Sequence, residues 1–248
     1  MVRTAIQLYT LRDFDIPFVD LLGRVADAGF DGVEYAYRVT EAVPDDVAAA
    51  IDETGLQVPS AHVSIESLEN DLETTVERYR YLRCERLVVP HLDPEGFETV
   101  EATRKTAERL DALADRLAGR DYPLLYHNHD FEFAARFDDG RTPFDVLVEE
   151  TDVVDFELDV GLAAYAGADP AAALREHGDR IDTLHCTDTR LNAADPVHAS
   201  YGTGDVVFPP VYEAAGDADV VWDVYENGSH DDPAGELEHA AEAFFRRR

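Results

Sequence analysis

The amino-acid sequence predicts an α/β protein, a single (β/α)8 TIM barrel that occupies residues 1–248. Short apolar segments rich in β-branched residues alternate with longer segments of helical periodicity, and this alternation repeats eight times. Eight strand–helix units in 248 residues are typical of this barrel, and no flexible linker divides the chain. A doubly wound open sheet is the alternative, but no Gly-x-Gly-x-x-Gly segment follows the first strand.

The predicted strands are short and largely apolar, as expected for parallel strands that are covered on both faces. The third is the weakest prediction because Pro59 has no amide to donate to a sheet. The strands span 5–8, 32–35, 57–62, 86–90, a fifth that begins at 123–125, 154–159, 180–185 and 220–226.

The predicted helices follow the strands and present apolar residues at helical spacing. Gly29 and Gly55 end the first two helices, and Pro44 and Pro170 stand at first-turn positions, where proline is favoured. The helices span 17–28, 44–54, 68–82, 97–117, 143–150, 170–177, 209–215 and 233–247.

The charge balance disfavours several classes of partner. The sequence contains 53 Asp and Glu against 21 Lys and Arg, a formal net charge of −32 at pH 7. Such a surface repels nucleic-acid phosphates and anionic lipid headgroups, so we expect neither nucleic acid nor membrane as a partner. The acidic residues are spread over many helices, which favours a folded protein adapted to high ionic strength, as in a halophile.

Three further features of the sequence bear on its possible reaction types and on its location. Lys105 is the only lysine and lies in the middle of a predicted helix, which disfavours Schiff-base and pyridoxal-phosphate chemistry. Cys84 and Cys186 lack the spacing of a zinc or redox motif, so we expect packed side chains. The sequence has no bilayer-length apolar run and does not begin with a signal-peptide pattern, so we expect a cytoplasmic protein.

Polar side chains follow most of the predicted strands at the point where each strand ends. Because the carboxyl ends of barrel strands share one mouth, where barrel enzymes build their sites, we expect these side chains to converge. Carboxylates and imidazoles are ligands for divalent metals. The residues are Gln7, Glu34, His62, His91, the segment 126–133, Asp159, His185 and Glu226.

The segment 126–133, Tyr-His-Asn-His-Asp-Phe-Glu-Phe, places His127, His129 and Glu132 within six residues directly after an apolar run. Asp188, three residues after His185, could orient a ring or a substrate hydroxyl. Structural roles remain open at this stage: a strand-end aspartate or glutamate can cap a helix or face solvent, and a histidine can be a hydrogen-bonded core residue.

These motifs resemble the sugar phosphate isomerase/epimerase family, the xylose isomerase-like barrels that include ketose 3-epimerases and inosose dehydratases. The resemblance covers essentially the whole chain. It rests on segments 31–34, 60–62 and 126–133, Asp159 before Gly161, segment 166–170, Arg180 with His185 and Asp188, and Glu226.

The resemblance implies one divalent metal ion (Mn, Co, Mg or Zn) held by side chains of the last four strands. The implied ligands are Glu132, Asp159, His185 and Glu226, with His127 or His129 as alternates to Glu132. Relatives usually carry a lysine where this chain has Thr187, so the identity of the substrate stays open.

The function implied is that of a metal-dependent isomerase or epimerase. It would act on a sugar, a sugar phosphate or an inosose by proton transfer next to a carbonyl, through an enediolate. Glu132 and Glu226 would transfer the proton from opposite faces. The expected substrate contacts are His62, His127, His129, Asp188 and Glu34.

Alternatives to this function are a lyase of the inosose dehydratase type and a non-catalytic sugar-binding barrel. Endonuclease IV resembles the same barrels, but the net charge disfavours a DNA substrate. Dimers and tetramers are common among relatives, which leaves a homo-oligomer open.

Overall fold

The computed structural model describes residues 2–216, 218 and 220–246. Eight parallel strands in this part of the chain lie side by side in the order β2-β1-β9-β7-β6-β5-β4-β3, and β8 pairs antiparallel with the end of β7. The strands are β1 (Arg3–Gln7), β2 (Gly32–Glu34), β3 (Ala61–His62), β4 (Leu87–Val89), β5 (Leu124–His127), β6 (Asp155–Asp159), β7 (Ile181–Thr189), β8 (His198–Ala199) and β9 (Trp222–Glu226).

The sheet closes between β2 and β3, where isolated parallel bridges replace a regular ladder. The amide of Val33 donates to the carbonyl of Gln57 at 2.9 Å, and the amide of Tyr35 donates to that of Ser60 at 3.1 Å. The amide of His62 returns a bond to the carbonyl of Tyr35 at 2.7 Å. We call this closure the β2–β3 seam. The predicted (β/α)8 barrel is confirmed.

Helices cover the outside of the barrel and bury their apolar faces against it. Gly29, at φ 95°, ends the first helix in the left-handed conformation that its sequence position predicts. The helices are α1 (Phe18–Ala28), α2 (Pro44–Thr54), α3 (Ile65–Asn70), α4 (Leu72–Tyr81), α5 (Val100–Ala118), α6 (Phe131–Ala134), α7 (Pro143–Glu150), α8 (Val160–Tyr165), α9 (Pro170–His177), α10 (Phe208–Ala215) and α11 (Pro233–Ala243). None of the helices in the described residues could span a membrane.

Local hydrogen bonds shift several boundaries from their predicted positions. The helix predicted at 68–82 is two helices, α3 and α4, that meet at the non-helical Asp71. Helix α3 begins earlier because Ser64 Oγ accepts the amide of Ser67 at 3.3 Å. Strand β7 continues past 185 to Thr189, since Asp188 and Thr189 pair with β8. The closing helix was predicted to reach 247, but α11 ends at Ala243, a 3-10 turn follows to Arg246, and residue 247 lies outside the described residues.

Candidate functional site

A pocket of about 410 Å³ opens at the carboxyl ends of the strands. Among the described residues that line it are four histidines and one carboxylate, Glu226. The position agrees with the convergence that the sequence predicts at the barrel mouth. Its lining residues are Gln7, Tyr9, Ala36, His62, Ser64, Pro90, His91, His127, His129 and Glu226.

Four buried side chains from four different strands meet beneath this pocket: His127, Asp159, His185 and Glu226. One potential ligand atom from each lies within 4.8 Å of those of the other three, and we call this set the upper group. His185 Nδ1 is 3.1 Å from Glu226 Oε2. His127 Nε2 is 3.6 Å from Asp159 Oδ2, which is too long for a hydrogen bond.

The upper group fits a divalent cation because several of its atoms are buried without a partner. Neither ring nitrogen of His127 has a hydrogen-bond partner in the described residues, and neither does Asp159 Oδ2. Leaving such atoms unsatisfied is costly, whereas a cation would satisfy them together. Two imidazoles and two carboxylates form a donor set suited to zinc, manganese or cobalt.

Asp159 is oriented by its own neighbourhood so that one oxygen faces His127. Thr187 Oγ1 donates to Asp159 Oδ1 at 2.6 Å, and the amide of Leu162 donates to the same oxygen at 2.7 Å. Asp159 thereby caps α8 as well as facing the upper group. Burial opposes its ionisation, but the imidazoles of His127, His198 and His185 together outweigh burial and hold the pKa of Asp159 below its usual range.

Gly161 allows this arrangement because it leaves room for strand β7. Its amide donates to Thr187 Oγ1 at 2.9 Å. A Cβ atom at Gly161 would lie 2.4 Å from Thr187 Oγ1 and 2.3 Å from Thr189 Oγ1. The glycine is therefore required by close packing rather than by an unusual backbone angle.

A second group, the lower group, lies inside the barrel and consists of Glu34, His62, Glu157 and His185. His185 Nε2 is 2.8 Å from Glu34 Oε1 and 3.1 Å from Glu157 Oε1. His62 Nε2 is 2.8 Å from the same oxygen of Glu157. The two groups share His185, whose two nitrogens face opposite ways.

The two carboxylates of the lower group differ in the direction in which their pKa values are shifted. Burial raises the pKa of Glu157 well above its usual range, and the nearby Glu34 carboxylate adds to the effect. Burial acts in the same direction on Glu34, but the imidazoles of His62 and His185 outweigh it and hold the pKa of Glu34 well below its usual range. Burial disfavours the imidazolium of His185, yet Glu157 and Glu34 raise its pKa well above its ordinary value. The lowered pKa of Glu34 favours its carboxylate form, and the raised pKa of Glu157 favours its protonated form.

A sequence model of xylose isomerase-like TIM barrels matches residues 22–247. The chain belongs to the xylose isomerase-like TIM-barrel family. It is similar to an inosose dehydratase of Geobacillus thermodenitrificans at 25% identity, and the match covers 81% of this chain and 78% of that protein.

Solved structures of the family share the fold at lower identity. A sugar phosphate isomerase/epimerase from Parabacteroides distasonis superposes with a TM-score of 0.81 at 20% identity, covering 98% of both chains. An L-ribulose 3-epimerase superposes with a TM-score of 0.74 at 17% identity, covering 99% of this chain and 94% of the other.

In this xylose isomerase-like barrel, Glu132 lies outside both groups. Its carboxylate accepts hydrogen bonds from the hydroxyl of Tyr126 and, at 2.9 Å, from the amide of His129. Burial raises the pKa of Glu132 to about 7, although these two donors oppose the rise. Glu132 thus stabilises the turn after β5, which contains His129. The residue of this segment that lies in the upper group is His127, not Glu132.

Asp188 is also placed away from the pocket. Its two oxygens accept the amides of Gly202 at 2.9 Å, Gly204 at 2.8 Å, Thr189 at 3.0 Å and Val206 at 3.2 Å. The carboxylate is buried and its hydrogen-bonding capacity is used by the backbone, so Asp188 anchors the loop that follows β7.

The other residues that we expected to contact the substrate lie either in the wall of the pocket or inside the barrel below it. His62 and His129 line the pocket, whereas Glu34 is fully buried below it. Burial, together with the neighbouring His127 and His91, lowers the pKa of His129 to about 3, so its ring is neutral at pH 7.

Glu157 is the residue of the lower group that the sequence analysis did not single out. Asp155, Glu157 and Asp159 alternate with apolar residues along β6 and therefore project to the same face. This spacing of two residues is the feature of the sequence that could have identified Glu157. A third group with potential metal ligands, which includes Asp145 and His177, lies on the outer helices, and Asp145 there caps α7.

Proposed function

We propose that this barrel is a metal-dependent enzyme that moves a proton next to the carbonyl group of a small carbohydrate, as an isomerase or epimerase. The observation that carries the proposal is the upper group: four buried ligand side chains below an open pocket, with unpartnered atoms on His127 and Asp159. Family membership supports a carbohydrate as the substrate.

The residues that would hold the ion are His127, Asp159, His185 and Glu226. His127 replaces Glu132 in this assignment, because the carboxylate of Glu132 is bonded to Tyr126 and His129. When bound, a divalent ion would supply Lewis-acid polarisation of a substrate carbonyl.

Glu226 is our candidate for proton transfer because its carboxylate both lines the pocket and belongs to the upper group. His62 and His129 would bind substrate hydroxyls, since both line the pocket and His129 Nδ1 has no partner in the described residues. Glu132 would position His129 through the backbone amide that it accepts, without exchanging a proton with the substrate.

We propose an uncharged polyhydroxy ketone rather than a phosphate ester. No lysine or arginine occurs among the described residues that line the pocket. Two arginines of the mouth loops already bind carbonyls: Arg12 bonds to Gly228, and Arg38 bonds to Phe14 and Ile16. A phosphate dianion would therefore enter beside Glu226 without a side-chain cation to offset it.

Dehydration is the second candidate, favoured by the similarity to inosose dehydratases. Removal of the proton next to the carbonyl is common to both reactions. They differ in whether the proton returns to carbon or a hydroxyl leaves from the neighbouring carbon.

The deciding experiment is solvent exchange. Protein loaded with Mn, Co, Mg or Zn is incubated in D2O with ketoses, inososes and their phosphate esters, and proton NMR detects deuterium next to the carbonyl. Epimers or isomers support the first candidate, and an unsaturated ketone detected by ultraviolet absorption supports the second. Metal-loaded protein that catalyses no exchange would instead indicate a non-catalytic sugar-binding barrel.

Three variants test the assignments. Glu226→Gln should abolish exchange. His127→Ala should lose metal affinity, whereas Glu132→Gln should keep it, and the opposite order would restore Glu132 as the ligand from β5.

A further inference from the structure

We infer that Glu34 is a positioning residue: it holds His185 by Nε2, so that Nδ1 alone is offered to the metal. This inference rests on the metal site proposed above. It gives Glu34 a role beneath the ligands instead of a contact with the substrate.

The geometry of His185 separates the tasks of its two nitrogens. Nδ1 faces the upper group, 3.1 Å from Glu226 Oε2. Nε2 faces the lower group, 2.8 Å from Glu34 Oε1. An imidazole binds a metal through a deprotonated nitrogen, and a carboxylate at the other nitrogen keeps the proton there. Glu34 therefore keeps the proton on Nε2, so that Nδ1 is the nitrogen that gives up its proton to bind an ion.

Glu34 is itself held in place by the strands on either side. The side-chain amide of Gln7 on β1 donates to Glu34 Oε1 at 2.8 Å, and the hydroxyl of Ser60 donates to Glu34 Oε2. Gln7, Glu34, Ser60 and His185 are all buried. The carboxylate thus has one defined orientation, which is the condition for orienting a ring.

The competing reading of the lower group is a second metal site. Its N···O contacts, 2.8 Å from His62 to Glu157, 3.1 Å from His185 to Glu157 and 2.8 Å from His185 to Glu34, are hydrogen-bond distances. The contacts link the four side chains through donors and acceptors, so that a shared proton can take the place of an ion, and Glu157 Oε2 is left without a partner in the described residues. The number of ions bound per chain distinguishes the two readings.

The test is a metal titration of Glu34→Gln against the wild type, with Zn²⁺ or Co²⁺ in competition with a chromophoric chelator. Gln keeps the shape and an acceptor oxygen but removes the charge. We expect one ion per wild-type chain and binding to Glu34→Gln that is about 10- to 100-fold weaker, with a changed Co²⁺ visible spectrum. Ser60→Ala, which removes one donor to Glu34 and keeps its charge, should give a smaller loss and serves if Glu34→Gln does not fold.

Asp145→Asn is the matched control. Asp145 Oδ1 is 3.1 Å from Nε2 of the buried His177, so the variant perturbs another carboxylate–histidine pair, on the outer helices. It should leave metal affinity unchanged. Glu34→Gln that binds as tightly as the wild type, or a second ion that both the wild type and Asp145→Asn bind, would overturn the inference. A wild type that binds no ion would overturn the metal site itself.

Discussion

Replacing Thr187 by valine tests whether a buried hydroxyl on β7 orients Asp159 in the proposed metal site. Thr187 is buried, and its hydroxyl makes two contacts at once: it donates to Asp159 Oδ1 at 2.6 Å and accepts the amide of Gly161 at 2.9 Å. Valine has nearly the same volume, so it removes the hydroxyl with little change in packing.

The expected loss of unfolding free energy comes from the buried polar groups that lose a hydrogen-bond partner in the variant. The amide of Gly161 loses its acceptor in a buried position, and a hydrogen bond to a charged carboxylate is lost. Each of these effects is worth about 1–3 kcal/mol, although Asp159 Oδ1 keeps the amide of Leu162. We expect unfolding free energy to fall by about 3 kcal/mol and metal affinity to fall about 10-fold, because Asp159 is less firmly oriented.

Urea unfolding in the presence of a chelator measures the first quantity, and chelator competition measures the second. Thr103→Val is the matched control, since Thr103 is also fully buried and its hydroxyl donates to the carbonyl of Thr99 at 3.0 Å, within the helical layer. It should lose about 1 kcal/mol and bind metal normally. The reasoning is refuted if Thr187→Val behaves like Thr103→Val in both assays.

Three further outcomes are expected. The pKa of Glu132 rises on folding from an ordinary 4.5 to about 7, so the native state binds the extra proton and loses about 3 kcal/mol of stability as pH rises from about 4 to about 7. Urea titrations should show that this loss is absent in Glu132→Gln. Gly161→Ala should cost about 3 kcal/mol by the same assay, because its Cβ would stand 2.4 Å from Thr187 Oγ1. Raising KCl from about 0.1 M to about 1 M shortens the Debye length from about 10 Å to about 3 Å. A halophilic protein of net charge −32 should therefore melt at a higher temperature in the concentrated salt. An unchanged melting temperature would count against a halophilic origin.

The sequence was most informative where local chemistry leaves little choice. Glycines that end helices and apolar segments of strand length set the eight units, and the carboxyl ends of the strands brought Asp159, His185 and Glu226 together as expected. These predictions depend only on the period of the chain and on the shared direction of barrel strands.

What the sequence could not decide was which side chain in a cluster turns inward. His127 is the last residue of β5 and projects into the barrel, whereas Glu132 lies beyond a turn that folds its carboxylate back onto Tyr126. Asp188 follows the last contact of β7 with its parallel neighbours, and its surroundings are set by a loop folding back from residues 202–206. Such placements depend on tertiary turns, which no spacing rule encodes.

The β2–β3 seam connects the closure of the barrel to the hydrogen bonds inside it. Glu34 stands on one side of the seam and Ser60 on the other, so their hydrogen bond spans the weakest join in the described sheet. Opening of the barrel at this join would separate the two residues and remove one of the donors that hold the carboxylate of Glu34 against His185. Hydrogen exchange should therefore be faster at the amides of Tyr35 and His62 than along the β6–β7 ladder, and it should slow when an ion fixes His185 from above.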